Sequence, residues 1–275
     1  MRLLVTGAGG QLGRALQEAL RGHDVVALDR AQLDITQLDA VRAALQVHEP
    51  QWLLNAAAFN AVDLAETEPA AAFAVNGHAP GVLATAAEEA GATLLHVSSD
   101  YVFDGQAGAP YTEDAVPNPI NRYGHSKLAG ERAVAAHPRH YVVRTAWLYA
   151  ARGKNFPLTM LELARRGPVR VVNDQTGSPT YAPHLAAALA RLVLAPPAFG
   201  TYHIAGSGAA TWYELTLALF EAMKIGVGVT PVTTAEFPRP AARPRYSALA
   251  TSREPRIELP PWREGLAQFA REVGG

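Results

Sequence analysis

From its second residue the chain alternates short leucine-rich or β-branched runs with longer alanine-rich stretches of helical period. Apolar runs without polar alternation, each followed by an amphipathic segment, are the pattern of a parallel sheet covered by helices on both faces. The predicted strands are Arg2–Thr6, Asp24–Leu28, Trp52–Asn55, Thr93–Ser98 and Tyr141–Thr145. The predicted helices are Gln11–Leu20, Leu38–His48, Glu68–Asn76 running into Gly81–Ala90, and Gly124–Ala136. A sixth strand near Val169–Val172 and a helix near His184–Leu194 extend the sheet in this reading. After about Ala195 the pattern changes. Pro196-Pro197 and a loop at Gly206-Ser207-Gly208 precede a helix from Trp212 to Met223. The segment from Phe237 to Arg245 then holds three prolines and three arginines, Arg239, Arg243 and Arg245. It reads as a linker or surface loop, or else as a phosphate-binding loop, since arginine recognises phosphate bidentately.

Composition narrows the chemistry. The 275 residues contain no cysteine, which excludes disulfides, thiolate metal sites, iron–sulfur clusters and a cysteine nucleophile. A net charge of −1 argues against coating nucleic acid or lying on a membrane surface. The apolar start is too short for a signal peptide, and the stretch from Leu185 to Ala195 contains Arg191 and falls short of the ~20 residues of a membrane span. A soluble cytoplasmic protein is expected. Lysine is scarce: beside many arginines there are only Lys127, Lys154 and Lys224.

The first strand leads into Gly7-Ala8-Gly9-Gly10-Gln11-Leu12-Gly13 and then a helix. In G-x-x-G-x-x-G, Gly7 makes a tight turn, Gly10 lets backbone N–H groups approach a pyrophosphate, and Gly13 permits close helix–strand contact. The helix N-terminus turns its partial positive charge toward the phosphates. A glycine pattern alone is weak; strand before and helix after give it weight. Asp29 ends the second strand, 19 residues past Gly10 (29 − 10), where an acid holds an adenosine ribose. Its neighbour Arg30 is of the type that accepts a 2′-phosphate, so NADPH and NADH both stay open. The expected fold is α/β. A Rossmann-type doubly wound parallel sheet occupies residues 1–150, extended by elements in 165–200. A smaller C-terminal substrate-binding portion, 151–275, is interleaved with it.

Tyr123 and Lys127 stand four apart at the start of a helix and share one face. With 9 tyrosines and three lysines, chance gives about 0.1 such pairs. Ser98-Ser99-Asp100 closes the fourth strand, at the sheet end where ligands of open α/β folds bind. A neighbouring ammonium lowers a phenol's pKa, and a serine hydroxyl can bond the same substrate oxygen. The set suits protonation of a carbonyl oxygen while hydride reaches the carbon, or the reverse.

Together with Asn55-Ala56-Ala57-Ala58, these motifs resemble the extended short-chain dehydrogenases/reductases. More narrowly, the segments 61–69, Ser98–Gly105, Arg144–Tyr149 and Asp174–Thr180 are similar to those of the dTDP-4-dehydrorhamnose reductases. The similarity runs over residues 1 to about 185 and resumes at Arg243-Pro244 through Ser247, Leu249 and Ser252. It implies reduction of the C4 ketone of dTDP-4-dehydro-L-rhamnose by a nicotinamide cofactor, NADPH or NADH. By motif, Tyr123 is the proton donor, Lys127 lowers its pKa and holds the nicotinamide ribose, and Ser99 stands where the family usually has threonine. Gly10, Gln11 and Leu12 line the pyrophosphate, Asp29 the adenosine ribose, Asp34 and Ile35 the adenine. Ala58, Phe59 and Asn60 border the cofactor's middle, and Ser99, Asp100 and Trp147 touch the sugar. Two departures stand out. Glutamates with which some relatives hold Mg²⁺ at a dimer interface have no counterpart at Arg14-Ala15 or Tyr181–His184, which argues against a metal-bridged dimer; a homodimer without metal stays open. Ala250 also replaces the aspartate that usually ends the C-terminal motif.

Other residues are weighed against these. His137 and His140 read as an exposed pair rather than a metal site, and Asp63, Glu66 and Glu68 as helix-start charges. Lys154 and Lys224 read as solvent-facing. A nucleotide-sugar epimerase or dehydratase shares the fold and Tyr-x-x-x-Lys, but Tyr101 follows Asp100 where a dehydratase needs a second acid. A non-catalytic module like the regulatory subunit of methionine adenosyltransferase would have no chemical need for Ser99, Tyr123 and Lys127.

Overall fold

The structure, a computed structural model, describes residues 1–274. In chain order its elements are β1 (Arg2–Thr6), α1 (Gln11–Ala19), β2 (Asp24–Leu28), α2 (Leu38–His48), β3 (Trp52–Asn55), α3 (Leu64–Thr67), α4 (Pro69–Phe73) and α5 (Ala79–Glu89). They continue with β4 (Thr93–Ser99), α6 (Arg122–Val134), β5 (His140–Thr145), β6 (Leu148–Tyr149), α7 (Phe156–Ala164), β7 (Val169–Val172), β8 (Thr176–Gly177), β9 (Thr180–Tyr181) and α8 (Ala182–Leu194). The last are β10 (Gly200–His203), β11 (Ala210–Thr211), α9 (Trp212–Ala222), β12 (Val229–Val232) and α10 (Trp262–Gly274).

Six strands form one sheet in the order β10-β5-β4-β3-β1-β2, with every pairing parallel. The unbroken apolar runs follow from burial on both faces, because consecutive strand residues point opposite ways. Leu3, Val5, Leu54, Leu95 and Val143 pack beneath α1 and α8 against Leu12, Leu16 and Leu189. Leu4, Leu53, Leu94 and Val142 pack on the other face against Val41, Leu45, Val82 and Leu83. A third core gathers Tyr149, Met160, Val171, Leu219, Trp262 and Phe269, all from the second half.

The sixth strand departs from the sequence reading. Val169–Val172 pairs with β12 in a separate ribbon, and the sheet position beside β5 belongs to β10. The α8 helix carries the chain back across the sheet, so Gly200–His203 arrives parallel to Tyr141–Arg144. The helical run from Pro69 to Glu89 is also interrupted by a π-helical turn at Ala74–His78. Among the described residues no helix is long and apolar enough to cross a membrane.

Candidate active site

The glycine loop is built by contact with the chain after β3. Gly7 has φ +71°, and a Cβ there would lie 2.6 Å from the Ala57 nitrogen. Gly13 abuts the Gly7 carbonyl so closely that any side chain would overlap it. Gly7, Gly10, Asp29, Asp34, Ile35, Ala58, Phe59 and Asn60 line one cleft of about 940 Å³, with Arg30 at its edge. A dinucleotide fits these donors: a bare glycine floor, main-chain N–H groups at the start of α1, and a carboxylate at the end of β2. Asp29 uses Oδ1 to accept from Ala31 N at 2.9 Å and from Gln32 N at 3.2 Å. Leu12 sends its side chain into the core beneath α1, so only its main chain faces the loop. Gln11 accepts from Asn155 Nδ2 at 2.8 Å, which ties the glycine loop to the start of α7.

Ser99, Tyr123 and Lys127 are all buried at the carboxyl end of the sheet. Asn121 caps α6 by accepting from Gly124 N at 2.7 Å, and this fixes Tyr123 in the first turn. The phenol stands edge-on to Tyr101, with ring centroids 5.7 Å apart. Burial pushes it up to about 12, and the neighbouring Ser99 hydroxyl pulls it down. The Lys127 ammonium donates one hydrogen to the Val97 carbonyl at 2.8 Å. Burial lowers Lys127 itself to about 8, opposed by Glu131 one turn on.

Asp100 is buried beside Ser99. Its Oδ1 accepts from Ser99 Oγ at 3.0 Å and its Oδ2 from Ser247 Oγ at 2.6 Å. Trp147 has φ +45°, unusual for a large side chain. Its ring lies over Gly177, where a Cβ would overlap the indole, and stacks on Trp212 at 3.3 Å with an interplanar angle of 3°. Trp212 in turn donates from Nε1 to Gln175 Oε1 at 3.2 Å.

Several residues were missed or misread in the sequence. The Pro/Arg segment is a strap rather than a linker. Arg243 pairs with Asp63 at 2.9 Å, Ser247 N and Ala250 N donate to the Thr176 and Tyr111 carbonyls, and Thr176 N and Tyr111 N donate back to the Arg245 and Ala248 carbonyls. Asp63 and Glu66 are accordingly anchors, Glu66 accepting from Arg122 N at 2.8 Å. Asn76, inside the π-helical turn, accepts from Phe59 N at 2.8 Å and donates to Phe59 O at 2.9 Å, clamping a cleft residue. An asparagine within an alanine-rich helix was the available signal, and π-turns recur at functional sites. His137 is buried against the Ala92 carbonyl, not exposed. Lys154 and Lys224 are exposed. Among the described residues no three His, Asp or Glu converge as a metal site.

Comparison with known proteins accords with this geometry. A family model described as RmlD substrate binding domain matches residues 1–274. A dTDP-4-dehydrorhamnose reductase of Streptomyces griseus is 47% identical, covering 97% of this chain and 92% of its own. The crystal structure of dTDP-4-dehydrorhamnose reductase from Bacillus anthracis in complex with NADP superposes with a TM-score of 0.96. It is 38% identical and covers 98% of this chain and 99% of its own. A Thermus thermophilus UDP-glucose 4-epimerase in complex with NAD, TM-score 0.85 and 22% identical over 100% of this chain and 99% of its own, shares the fold alone. The chain belongs to the dTDP-4-dehydrorhamnose reductase family.

Proposed function

We propose that the chain reduces the C4 ketone of dTDP-4-dehydro-L-rhamnose to dTDP-L-rhamnose, the last step in making that sugar donor, consuming NADPH. One observation carries the reading: Ser99, Tyr123 and Lys127 are gathered at the sheet's carboxyl end, where the glycine-lined cleft also opens. A reduced nicotinamide supplies the hydride when bound. Tyr123 gives its proton to the ketone oxygen, Ser99 holds that oxygen from a second side, and the Lys127 ammonium stabilises the phenolate left behind. A phenol at about 12 keeps its proton at neutral pH yet can surrender it to a more basic alkoxide.

Gly7, Gly10, Gln11, Gly13 and the main chain of Leu12 serve the pyrophosphate, Asp29 the adenosine ribose, and Asp34 and Ile35 the adenine. Ala58, Phe59 and Asn60 border the cofactor's middle; Asp100 and Trp147 face the sugar. Residues 1–150 carry the cofactor half and 151–275 the sugar half, interleaved because β10 rejoins the main sheet. The enzyme works in the cytoplasm on a small nucleotide sugar, alone or as a homodimer.

The test mixes the protein with enzymatically generated dTDP-4-dehydro-L-rhamnose and NADPH or NADH, following absorbance of the reduced nicotinamide. Stoichiometric oxidation with appearance of dTDP-L-rhamnose is expected. A protein that binds cofactor but oxidises neither overturns the reading, and sugar conversion without net oxidation points to an epimerase.

A further inference from the structure

Trp147 follows closely on Thr145, the β5 partner of Ser99, so its indole is delivered to the carboxyl end of the sheet. Its φ of +45° puts a bulky residue in the left-handed region, which is costly and persists only where the surroundings over-determine it. Those surroundings come from one ribbon of the second half. β8 and β11 pair antiparallel, with Gly177 opposite Ala210 and Thr176 opposite Thr211. Gly177 offers a bare Cα to the Cε2, Nε1 and Cζ2 atoms of the indole, where any Cβ would overlap the ring. Trp212, the residue after β11, stacks on the same indole with centroids 3.3 Å apart and planes 3° from parallel. The Trp147 carbonyl accepts from Thr180 N at 3.2 Å, which ties down its main chain as well.

Trp212 is itself held in place. Thr211 caps α9 by accepting from Glu214 N at 3.1 Å, and donates to Asn173 Oδ1 at 2.9 Å. The Trp212 Nε1 is spent on Gln175, whose own Nε2 donates to Thr234 Oγ1 at 2.9 Å. Phe156 of α7 backs the Trp212 ring at a centroid distance of 4.4 Å. Both indoles nevertheless stay half-buried. Aromatic pairs that serve packing alone prefer offset or edge-on contact. A full face-to-face overlap on a strained backbone, at the end of the sheet that carries Ser99, fits a ring held for what it touches.

We propose that Trp212 is a positioning residue for the sugar: it holds Trp147 in its strained place and through it sets the pose of the sugar ring. The proposal rests on the reductase reading above, in which Trp147 faces the sugar. Trp212 needs no contact with the sugar in this role. The stack requires a flat face, so shape should matter more than bulk. Phenylalanine keeps a flat face, whereas leucine keeps only apolar volume. Action through Trp147 makes a second demand: once Trp147 is gone, the residue at 212 should cease to matter to the sugar.

Calorimetric titration of the NADP⁺-loaded protein with dTDP-L-rhamnose tests this apart from turnover. Trp212→Leu is expected to weaken that binding and raise KM for the nucleotide sugar together, by about tenfold or more, with NADPH affinity within about twofold of wild type. Trp212→Phe stays within about threefold of wild type in both. In a Trp147→Ala background, itself weakened, Trp212→Leu adds less than about twofold. Gly177→Ala reaches the same ring from β8 and serves where the leucine variant does not fold. Its methyl displaces the indole, weakens the sugar as Trp212→Leu does, and adds nothing once residue 147 is alanine. Unchanged sugar affinity in Trp212→Leu or Gly177→Ala, or an equal loss with and without Trp147, overturns the proposal. So does a Trp212→Leu protein that loses NADPH in step with the sugar, which would mark a general loosening. A wild type that binds NADPH but neither binds dTDP-L-rhamnose nor reduces dTDP-4-dehydro-L-rhamnose overturns the reductase reading itself.

Discussion

Tyr123 illustrates how a single side chain is prepared by its burial. Desolvation keeps the phenol protonated at neutral pH, against the weaker pull of the neighbouring Ser99 hydroxyl. Removing the hydroxyl while keeping the ring should then abolish proton donation without disturbing the cleft. Tyr123→Phe is expected to lose about 10²- to 10⁴-fold in kcat, the usual contribution of a general acid, with NADPH affinity by fluorescence titration unchanged. Near-normal turnover would place the proton donor elsewhere. Tyr123 and Lys127 were legible in the sequence because their relation is local, one turn of one helix. The Asp100–Ser247 bond was not, since it joins residues 147 apart, and neither was Arg243 with Asp63 across 180. No periodicity encodes such pairs; they exist only once β4, α6 and the strap are assembled.

Among the elements, α6 and β5 are joined by a buried ion pair. Arg144 of β5 meets Glu131 of α6 at 2.7 Å with both side chains almost fully covered, and Arg144 also lies 5.2 Å above the Phe103 ring. Glu131 stands one turn beyond Lys127, so the pair fixes the rotation of the helix that carries the site. Breaking a buried pair strands one charge, which costs more than the pair itself contributes. Glu131→Gln is expected to destabilise the protein by about 3–5 kcal/mol, read as a lower urea midpoint at unchanged slope. The double variant Glu131→Leu with Arg144→Met should recover much of that loss; a double variant as unstable as the single would mean the pair does more than neutralise charge. Four of the five predicted strands were legible as apolar runs buried on two faces, and the edge strand Asp24–Leu28, only half-buried, by its β-branched and apolar run. Gly200–His203 was not, being short, glycine-led and preceded by Pro196-Pro197. The α10 helix was overlooked although Trp262, Leu266 and Phe269 share one face, because prolines crowd the segment before it.

At the scale of the molecule, buried titratable groups link the folded state to pH in opposing directions. Burial holds His96 well below its ordinary value and also lowers His203 and His137. All three take up a proton more readily in the unfolded chain than in the fold, so their contribution is complete above about pH 6.5 and is lost as pH falls below it. Asp100 has the other sign. Raised to about 7, it is protonated in the fold and ionised in the unfolded chain over the same range, so acidification favours the fold through this group. Three imidazoles that take up protons on unfolding outnumber the one carboxyl that releases its own, so acidification between roughly pH 6.5 and 5 destabilises the fold on balance. Removing the opposing carboxyl should therefore make the protein more acid-sensitive. Urea unfolding of Asp100→Asn is expected to lose stability more steeply than the wild type as pH falls over that range, while His96→Gln flattens the slope of the wild type. An Asp100→Asn protein whose slope equals the wild type's would mean that Asp100 is already ionised in the fold near pH 6, contrary to the neutral acid that its enclosure by Ser99 and Ser247 implies.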